Sequence, residues 1–464
     1  MRRLSRFSLF LTTTLFAPEA AFSDVALPSF FSDNMVLQQG MQVPIWGRAD
    51  DGEMVEVSFQ GQTAAATARD GKWMVHLNAL KLGGPFEMTV SGKNTIVIRN
   101  VLVGEVWVCG GQSNIAMQVS KAENSEADIA ASDNPMIRLF KVEPQTADAP
   151  MDDVVGKWKI CSPETVSDFS ATGYFFGREL QKARSGAVGL ISSCAGGTKV
   201  RCWIPRVEQG QTAGRPPRAK RPHGYYYGMI APLQPYAIRG VIWYQGEANS
   251  HGLEDALQYH QVFSDMIRCW RKEWGQGDFP FLFVQMPGFA ARGRDWRAMR
   301  ESQAKTLALP KTGMAVTIDV GTKTSIHPRK KQAVGTRLAL VARAVGYGEN
   351  IEFSGPVYRS MEKRGDKIVL RFDHVDGGLE ARGGELKGFV IAGEDAVFVN
   401  AVARIDGDAI VVSSPHVAAP QYVRYAWANW PDVSLYNKEG LPAPPFRTDD
   451  FPFTQDSPNP DQTP

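Results

Sequence analysis

The stretch that decides the fold is Val101-Leu102-Val103-Gly104-Glu105-Val106-Trp107-Val108-Cys109, together with the turn Gly110-Gly111-Gln112-Ser113-Asn114 that follows it. The apolar run predicts a buried strand. The turn places Ser113 between this strand and the next element, where a serine hydroxyl is a candidate nucleophile. A serine is a poor nucleophile alone, so the chain must also supply a base and donors for the oxyanion that forms.

Two other glycine-rich segments follow predicted strands. Cys194-Ala195-Gly196-Gly197-Thr198 comes after the apolar residues 188–191, and Gly246-Glu247-Ala248-Asn249 comes after residues 240–245. Glycine lets a backbone N–H approach a reacting carbonyl, and an asparagine amide donates without carrying a charge. The predicted oxyanion donors are the backbone N–H of Ser113, that of Gly196 or Gly197, and the Asn249 side chain.

The predicted base is His327, in the segment Ser325-Ile326-His327-Pro328. A helical pattern follows, and Pro328 is expected in its first turn. A helix N-terminus beside His327 would disfavour the imidazolium and keep the ring available as a base. The other histidines are candidates for surface or core positions: His76, His223, His251, His260, His374 and His416.

The order Ser, Gly, Asn, His along the chain resembles that of the SGNH hydrolases, and the surrounding sequence resembles the sialate O-acetylesterase-like carbohydrate esterases. Besides residues 111–114, the similar blocks are residues 31–38, 71–73, 104–109, 174–180, 243–249 and 440–443. This resemblance implies an α/β, flavodoxin-like parallel sheet with helices on both faces. It also implies Ser113 as the nucleophile and His327 as the base, with no metal or other cofactor.

One position departs from the SGNH pattern. These enzymes commonly place an aspartate two or three residues before the histidine to orient its ring, but this chain has Ser325 and Thr324 there. Two alternatives remain open. Asp319 is an acidic candidate for the third member, or a backbone carbonyl orients His327 in a Ser-His dyad.

Predicted substrate-binding residues lie in or near the same segments. Gln112, Gln245 and Glu247 belong to the motif segments, and Arg201, Trp203 and Trp296, with Trp243, are candidates for a carbohydrate platform because aromatic faces pack on sugar rings. Burial in the core is the alternative for each tryptophan. The chain has none of the common zinc, P-loop or dinucleotide-binding motifs, so no metal is predicted.

The hydrophobic pattern divides the chain into five segments. Residues 1–23 are predicted to be a signal peptide, 24–97 an N-terminal antiparallel β-sandwich-like region, 98–350 the catalytic domain, 351–450 a C-terminal antiparallel β region and 451–464 a disordered tail. Helices are predicted in the catalytic domain at residues 171–184, 256–274, 296–309 and 331–345. The pattern does not show whether the two β regions form one unit.

Composition and a targeting signal indicate the class of protein and its cellular location. A chain of 464 residues with a net charge of +2 is an ordinary globular protein rather than a nucleic-acid or membrane-surface binder. Arg2, Arg3 and Arg6 precede an apolar run, which predicts export to the periplasm or secretion, without a later membrane span. Cys194 and Cys202 bracket the proposed oxyanion loop and are either bridged or free.

These observations predict an exported serine esterase that removes O-acetyl groups from carbohydrates, either sialic acid or a hemicellulose such as xylan or xyloglucan. A non-catalytic carbohydrate-binding protein with a decayed site is the alternative, since the aspartate before His327 is missing. A peptidase or lipase that uses the same residues is a third reading. The oligomeric state is not predicted.

Overall fold

The computed structural model describes residues 24–206, 224–290 and 293–453. The predicted signal peptide and residues 454–464 of the predicted tail lie outside these ranges. Within them, no helix is long and apolar enough to cross a membrane.

Most strands of the N-terminal region pair in antiparallel fashion, and the exception is the first strand, Val36–Gln38, which pairs in parallel. Alternate side chains of these strands are buried, as the period of two predicts, for example Val55, Val57 and Phe59. The strands are β1 Val36–Gln38, β2 Val43–Arg48, β3 Met54–Phe59, β4 Gln62–Thr67, β5 Lys72–Leu77, β6 Gly83–Ser91 and β7 Thr95–Gly111. β2 pairs with β5, and β3 pairs with β4 and β6. β6 pairs with the start of β7, so the predicted boundary at residue 97 falls inside a strand.

The central sheet has the strand order β13-β12-β11-β7-β10-β8-β9. The additional strands are β8 Asn134–Lys141, β9 Trp158–Cys161, β10 Ala187–Cys194, β11 Gly240–Tyr244, β12 Phe281–Val284 and β13 Thr312–Ala315. All pairs are parallel except β8 with β9. β7 lies between β10 and β11, and the chain crosses from one side of β7 to the other after β10. Such a switch point opens a crevice at the carboxyl ends of the strands, where α/β proteins bind ligands.

Helices cover both faces of the central sheet, as predicted. They are α1 Ser113–Ala116, α2 Ser125–Ala130, α3 Pro163–Val166, α4 Ala171–Arg184, α5 Leu253–Trp274, α6 Trp296–Lys305 and α7 Lys331–Val341. Val106 on β7 shares a core cluster with Phe263 of α5, whereas its neighbour Trp107 shares a second cluster with Phe176 of α4 and Leu338 of α7. From residue 101 to residue 111, β7 carries only one charged side chain, Glu105, as burial of this part of the strand on both faces requires.

The predicted helices agree with the structure, with one difference that concerns the site. α4 has the predicted bounds, and α5 begins three residues before the predicted start. α7 begins at Lys331, so the prediction that Pro328 lies in its first turn is wrong. The segment from His327 to the helix is irregular chain.

The C-terminal region is antiparallel, as predicted. Its strands are β14 Val357–Arg364, β15 Lys367–Asp373, β16 Leu379–Ala381, β17 Phe389–Ala392, β18 Val399–Asn400, β19 Val402–Asp406, β20 Ala409–Ser413, β21 Tyr422–Tyr425, β22 Leu435–Asn437 and β23 Phe446–Arg447. β14-β15-β20-β19 and β18-β17-β21-β23 form two four-stranded sheets. The region contacts the catalytic domain through α6, where the buried Arg300 donates to the carbonyls of Ala428 and Asn429 at 2.7 and 3.0 Å.

Candidate active site

Ser113 lies where β7 ends and α1 begins. At this point the backbone of β11 packs closely against that of β7. Gly111 has a φ of +131°, and a Cβ atom there would lie 2.2 Å from the carbonyl oxygen of Tyr244. The N–H of Gln112 donates to the same carbonyl at 3.1 Å. The chain then turns into α1 with Ser113 as its first residue. First-turn N–H groups have no acceptor inside the helix, so the Ser113 N–H is available to an oxyanion.

His327 reaches Ser113 from the loop before α7. Its Nε2 lies 2.8 Å from Oγ of Ser113, a hydrogen bond suited to proton transfer. Burial and, secondarily, the cationic Lys331 lower the pKa of His327 below its usual value. The ring is therefore neutral at pH 7, as a general base requires. The lowered pKa of His327 agrees with the prediction, but its cause does not. The helix N-terminus was expected to lower it, whereas α7 begins four residues after His327, and burial and Lys331 lower the pKa instead.

The prediction that Asp319 orients His327 is wrong. Its two carboxylate oxygens accept from Arg337 at 2.6 and 2.7 Å, and one also accepts from the Tyr436 hydroxyl at 3.2 Å. Within the described ranges, no carboxylate or backbone carbonyl hydrogen-bonds to Nδ1 of His327. Asp319 instead joins α7 to the C-terminal region.

The predicted oxyanion donors converge on Ser113 from the two strands that flank β7. A Cβ at Gly196 would lie 3.7 Å from Cβ of Ser113, whereas one at Gly197 would meet nothing within 4 Å. This geometry favours Gly196 as the backbone donor. Asn249 lies in a 3-10 turn after β11, and its Oδ1 accepts from the Val200 N–H at 3.0 Å and from Gln245 at 2.8 Å. In the described part of the chain its Nδ2 has no hydrogen-bond acceptor, so it remains available to substrate.

Gln112 and Gln245 are supports rather than substrate-binding groups, contrary to the prediction. Both are buried, with exposed fractions of 3% and 1%. Nε2 of Gln245 donates to Oε1 of Gln112, to the Thr198 carbonyl and to Asn249, and its Oε1 accepts from the Tyr259 hydroxyl. Gln245 therefore fixes the Asn249 amide with its nitrogen directed away from this network.

The predicted tryptophan platform is also wrong. Trp203 and Trp296 are fully buried, and Trp243 is 1% exposed. Trp203 stacks on Tyr225 with ring centroids 5.4 Å apart, and Trp296 packs edge-on against Phe289. These indoles belong to the core. Arg201 is half-buried in the 3-10 turn after Gly196, and its substrate role stays a prediction.

Glu247 is not a substrate contact either, because it is buried behind the Ser-His pair in a polar cluster that the sequence analysis missed. The cluster consists of Glu247, Asn114 and Lys331, all with exposed fractions of 1% or less. The position of Asn114 beside Ser113 in the motif could have indicated a role in the site. Nothing in the sequence indicates that Lys331 is buried, since a lysine at the start of a helix usually lies in solvent.

Of the two alternatives for Cys194 and Cys202, bridged or free, the structure has the second, because both are free thiols. Burial raises the pKa of each thiol, so both are expected to stay protonated at neutral pH. Among the described residues, no three His, Cys, Asp or Glu side chains are grouped to hold a metal ion.

Comparison with known proteins decides the family. A family model described as carbohydrate esterase, sialic acid-specific acetylesterase, matches residues 103–368, a range that contains Ser113, Gly196, Asn249 and His327. This chain belongs to that family. The sialate O-acetylesterase of Homo sapiens is 30% identical over 508 aligned positions, covering 94% of this chain and 95% of the human protein. The Mus musculus sialate O-acetylesterase is 29% identical over 90% of this chain and 93% of its own length.

A solved relative shares the whole architecture. The crystal structure of a carbohydrate acetylesterase from Xanthomonas citri is 41% identical to this esterase, covers 92% of this chain and 100% of its own, and superposes with a TM-score of 0.88. The predicted SGNH-like fold with flanking β regions is thus confirmed. The chain is a carboxylic ester hydrolase of the carbohydrate acetylesterase class.

Proposed function

We propose that this esterase removes O-acetyl groups from carbohydrates through a covalent acetyl-serine intermediate. The observation that carries the proposal is the 2.8 Å contact between Nε2 of His327 and Oγ of Ser113. A serine and a neutral histidine at hydrogen-bond distance, with donors beside them, are the parts that acyl transfer requires.

In the first half of the reaction, Oγ of Ser113 attacks the acetyl carbonyl carbon while its proton passes to Nε2 of His327. The negative charge that develops on the carbonyl oxygen is held by the backbone N–H groups of Ser113 and Gly196 and by Nδ2 of Asn249. When the intermediate collapses, the bond between the acetyl carbon and the sugar oxygen breaks. His327 returns the proton to that oxygen, and the deacetylated sugar leaves.

In the second half, water replaces the sugar. His327 removes a proton from the water as its oxygen attacks the acetyl carbon, and the same three donors hold the second oxyanion. The bond to Oγ of Ser113 then breaks, the proton returns to Oγ, and acetate leaves. No step uses a metal ion or a redox change.

The proposed substrate is either O-acetylated sialic acid or an acetylated hemicellulose such as xylan or xyloglucan. The mammalian relatives are named sialate O-acetylesterases, and the Xanthomonas citri relative is named a carbohydrate acetylesterase. Arg2, Arg3 and Arg6 before an apolar run support a site of action in the periplasm or outside the cell.

The test is acetate release by the wild type and Ser113→Ala from O-acetylated sialic acid, acetylated xylan and xyloglucan fragments, and an acetylated chromogenic ester. Serine-dependent release from one glycan class identifies the substrate. Release by Ser113→Ala at the wild-type rate would refute the serine mechanism. If the wild type releases no acetate and a serine-directed phosphonate forms no adduct with Ser113, the protein is a carbohydrate binder with an inactive site.

A further inference from the structure

Asn114 occupies the centre of the buried cluster behind the Ser-His pair. Its Nδ2 donates to Oε1 of Glu247 and, at 3.0 Å, to the carbonyl oxygen of Ile326. Its Oδ1 accepts from Nζ of Lys331 at 2.5 Å. The Ile326 carbonyl belongs to the peptide bond that leads into His327. Asn114 thus ties the turn that carries the nucleophile directly to the loop that carries the base.

The same loop is fixed on the other side of His327. The Arg329 guanidinium donates to the carbonyls of Lys121 and Ala122 at 3.0 and 3.1 Å. The Arg329 carbonyl accepts from the Glu123 N–H at 2.9 Å. His327 therefore stands between two anchored points, and its ring is placed by the backbone.

The charged members of the cluster are held away from water. Burial lowers the pKa of Lys331 to about 7, although the nearby Glu247 opposes the shift, and burial raises the pKa of Glu247. Nζ of Lys331 lies 5.0 Å from the centroid of the Tyr244 ring. Arg294 also faces Glu247, donating to its backbone carbonyl. A buried amine and a buried carboxyl cost stability, so packing alone does not account for them.

We propose that Asn114 and Lys331 are positioning residues that fix His327 against Ser113, in place of the aspartate that is missing before the histidine. The inference rests on the proposed serine mechanism. An aspartate on Nδ1 would stabilise the imidazolium, whereas a lysine cation nearby disfavours it. The Lys331 arrangement therefore gives a less basic histidine that remains a neutral base at lower pH.

The test compares Lys331→Met with Lys330→Met, a change of the exposed neighbour, through kcat/KM as a function of pH. Lys331 is protonated throughout the acid limb and lowers the pKa of His327, so its loss should raise the apparent pKa of that limb. On the acid side of the limb, Lys331→Met should therefore retain a smaller fraction of its plateau activity than Lys330→Met at the same pH. Superimposable profiles for the two variants would overturn the assignment to Lys331.

A direct titration keeps the proposal testable even if Lys331→Met does not fold. Imidazole NMR of the wild type should show His327 titrating below pH 6.5, and a midpoint at or above that value would contradict the proposal. Asn114→Ala should lower kcat far more than it changes KM, because the base is displaced while the substrate rim stays intact. Equal losses in kcat and 1/KM would refute positioning by Asn114. Ser113→Ala separates the two hypotheses, because activity without Ser113 refutes the serine mechanism itself.

Discussion

His327 Nε2 lies 2.8 Å from Oγ of Ser113, although the two residues are 214 positions apart in the sequence. The sheet order explains the contact. Ser113 follows the central strand β7, and its flanking strands β10 and β11 end in the segments that carry Gly196 and Asn249. The loop before α7 closes this crevice with His327. A crossing of the chain at β7 thus assembles a site from four distant segments.

The first prediction concerns the base itself. His327→Gln should lower kcat/KM for acetyl esters on the order of 10³-fold or more, because glutamine cannot take the Ser113 proton. The measurement is steady-state hydrolysis of the chromogenic acetyl ester. His416→Gln, which changes an exposed histidine of the C-terminal region, is the matched control and should keep the wild-type rate. A similar fall in both variants would point to a loss of folding rather than of the base.

The second prediction is the pH dependence of the wild type. His327 must be neutral to accept a proton, and burial and Lys331 both lower its pKa. Activity should therefore fall as the pH drops through a value below 6.5, and it should remain on its plateau at pH 7. A plot of kcat/KM against pH gives this value. An acid limb centred above pH 6.5 would show that the surroundings of His327 raise its pKa instead of lowering it.

The third prediction isolates the donor role of Asn249. Asn249→Asp keeps an oxygen that can accept from Gln245 and Val200 but removes the Nδ2 donor and adds a negative charge. Turnover should fall by on the order of 10²-fold or more, and the negative charge at this buried position should also lower the thermal midpoint. Pre-steady-state hydrolysis and thermal unfolding measure the two effects. An unchanged rate would remove Asn249 from the oxyanion hole.

The fourth prediction separates Asp319 from catalysis. Asp319 and Arg337 are largely buried, so Asp319→Asn should lower the free energy of unfolding by about 1–3 kcal/mol and leave kcat unchanged. Asp408→Asn is the control, because Asp408 forms an exposed ion pair with Arg371 that contributes little. Denaturant unfolding and acetate release measure the two quantities. A large loss of kcat with normal stability would return Asp319 to the catalytic machinery.

The local patterns of the sequence are sufficient to predict most of the strands and helices and the main residues of the candidate active site. The bounds of α4 and the positions of Ser113, Gly196, Asn249 and His327 after their strands follow from periodicity and turn composition, which are properties of short segments. Their convergence also follows, since parallel strands place their carboxyl ends at one edge.

The remaining errors share a physical cause. Whether Trp203 faces sugar or core depends on the elements that cover it, and here Tyr225 and the helix α5 do so. The partner of Asp319 is Arg337, which is eighteen positions away on a helix. A one-dimensional pattern contains no information about such contacts. Lys331 is the clearest example, because a lysine in the first turn of a helix is ordinarily solvated but is fully buried here.

The fifth prediction uses that buried lysine as a stability probe. The pKa of Lys331 is lowered to about 7 in the folded protein, whereas an unfolded lysine titrates near 10.4. Between these values the unfolded chain binds more protons, so the free energy of unfolding rises with pH. Relative to Lys331→Met, the wild type should gain up to about 1.4 kcal/mol per pH unit between pH 7 and 9. Denaturant unfolding at several pH values measures the difference. The plot of unfolding free energy against pH for Lys330→Met should run parallel to that of the wild type. If the plot for Lys331→Met is also parallel to that of the wild type, Lys331 stays protonated when buried.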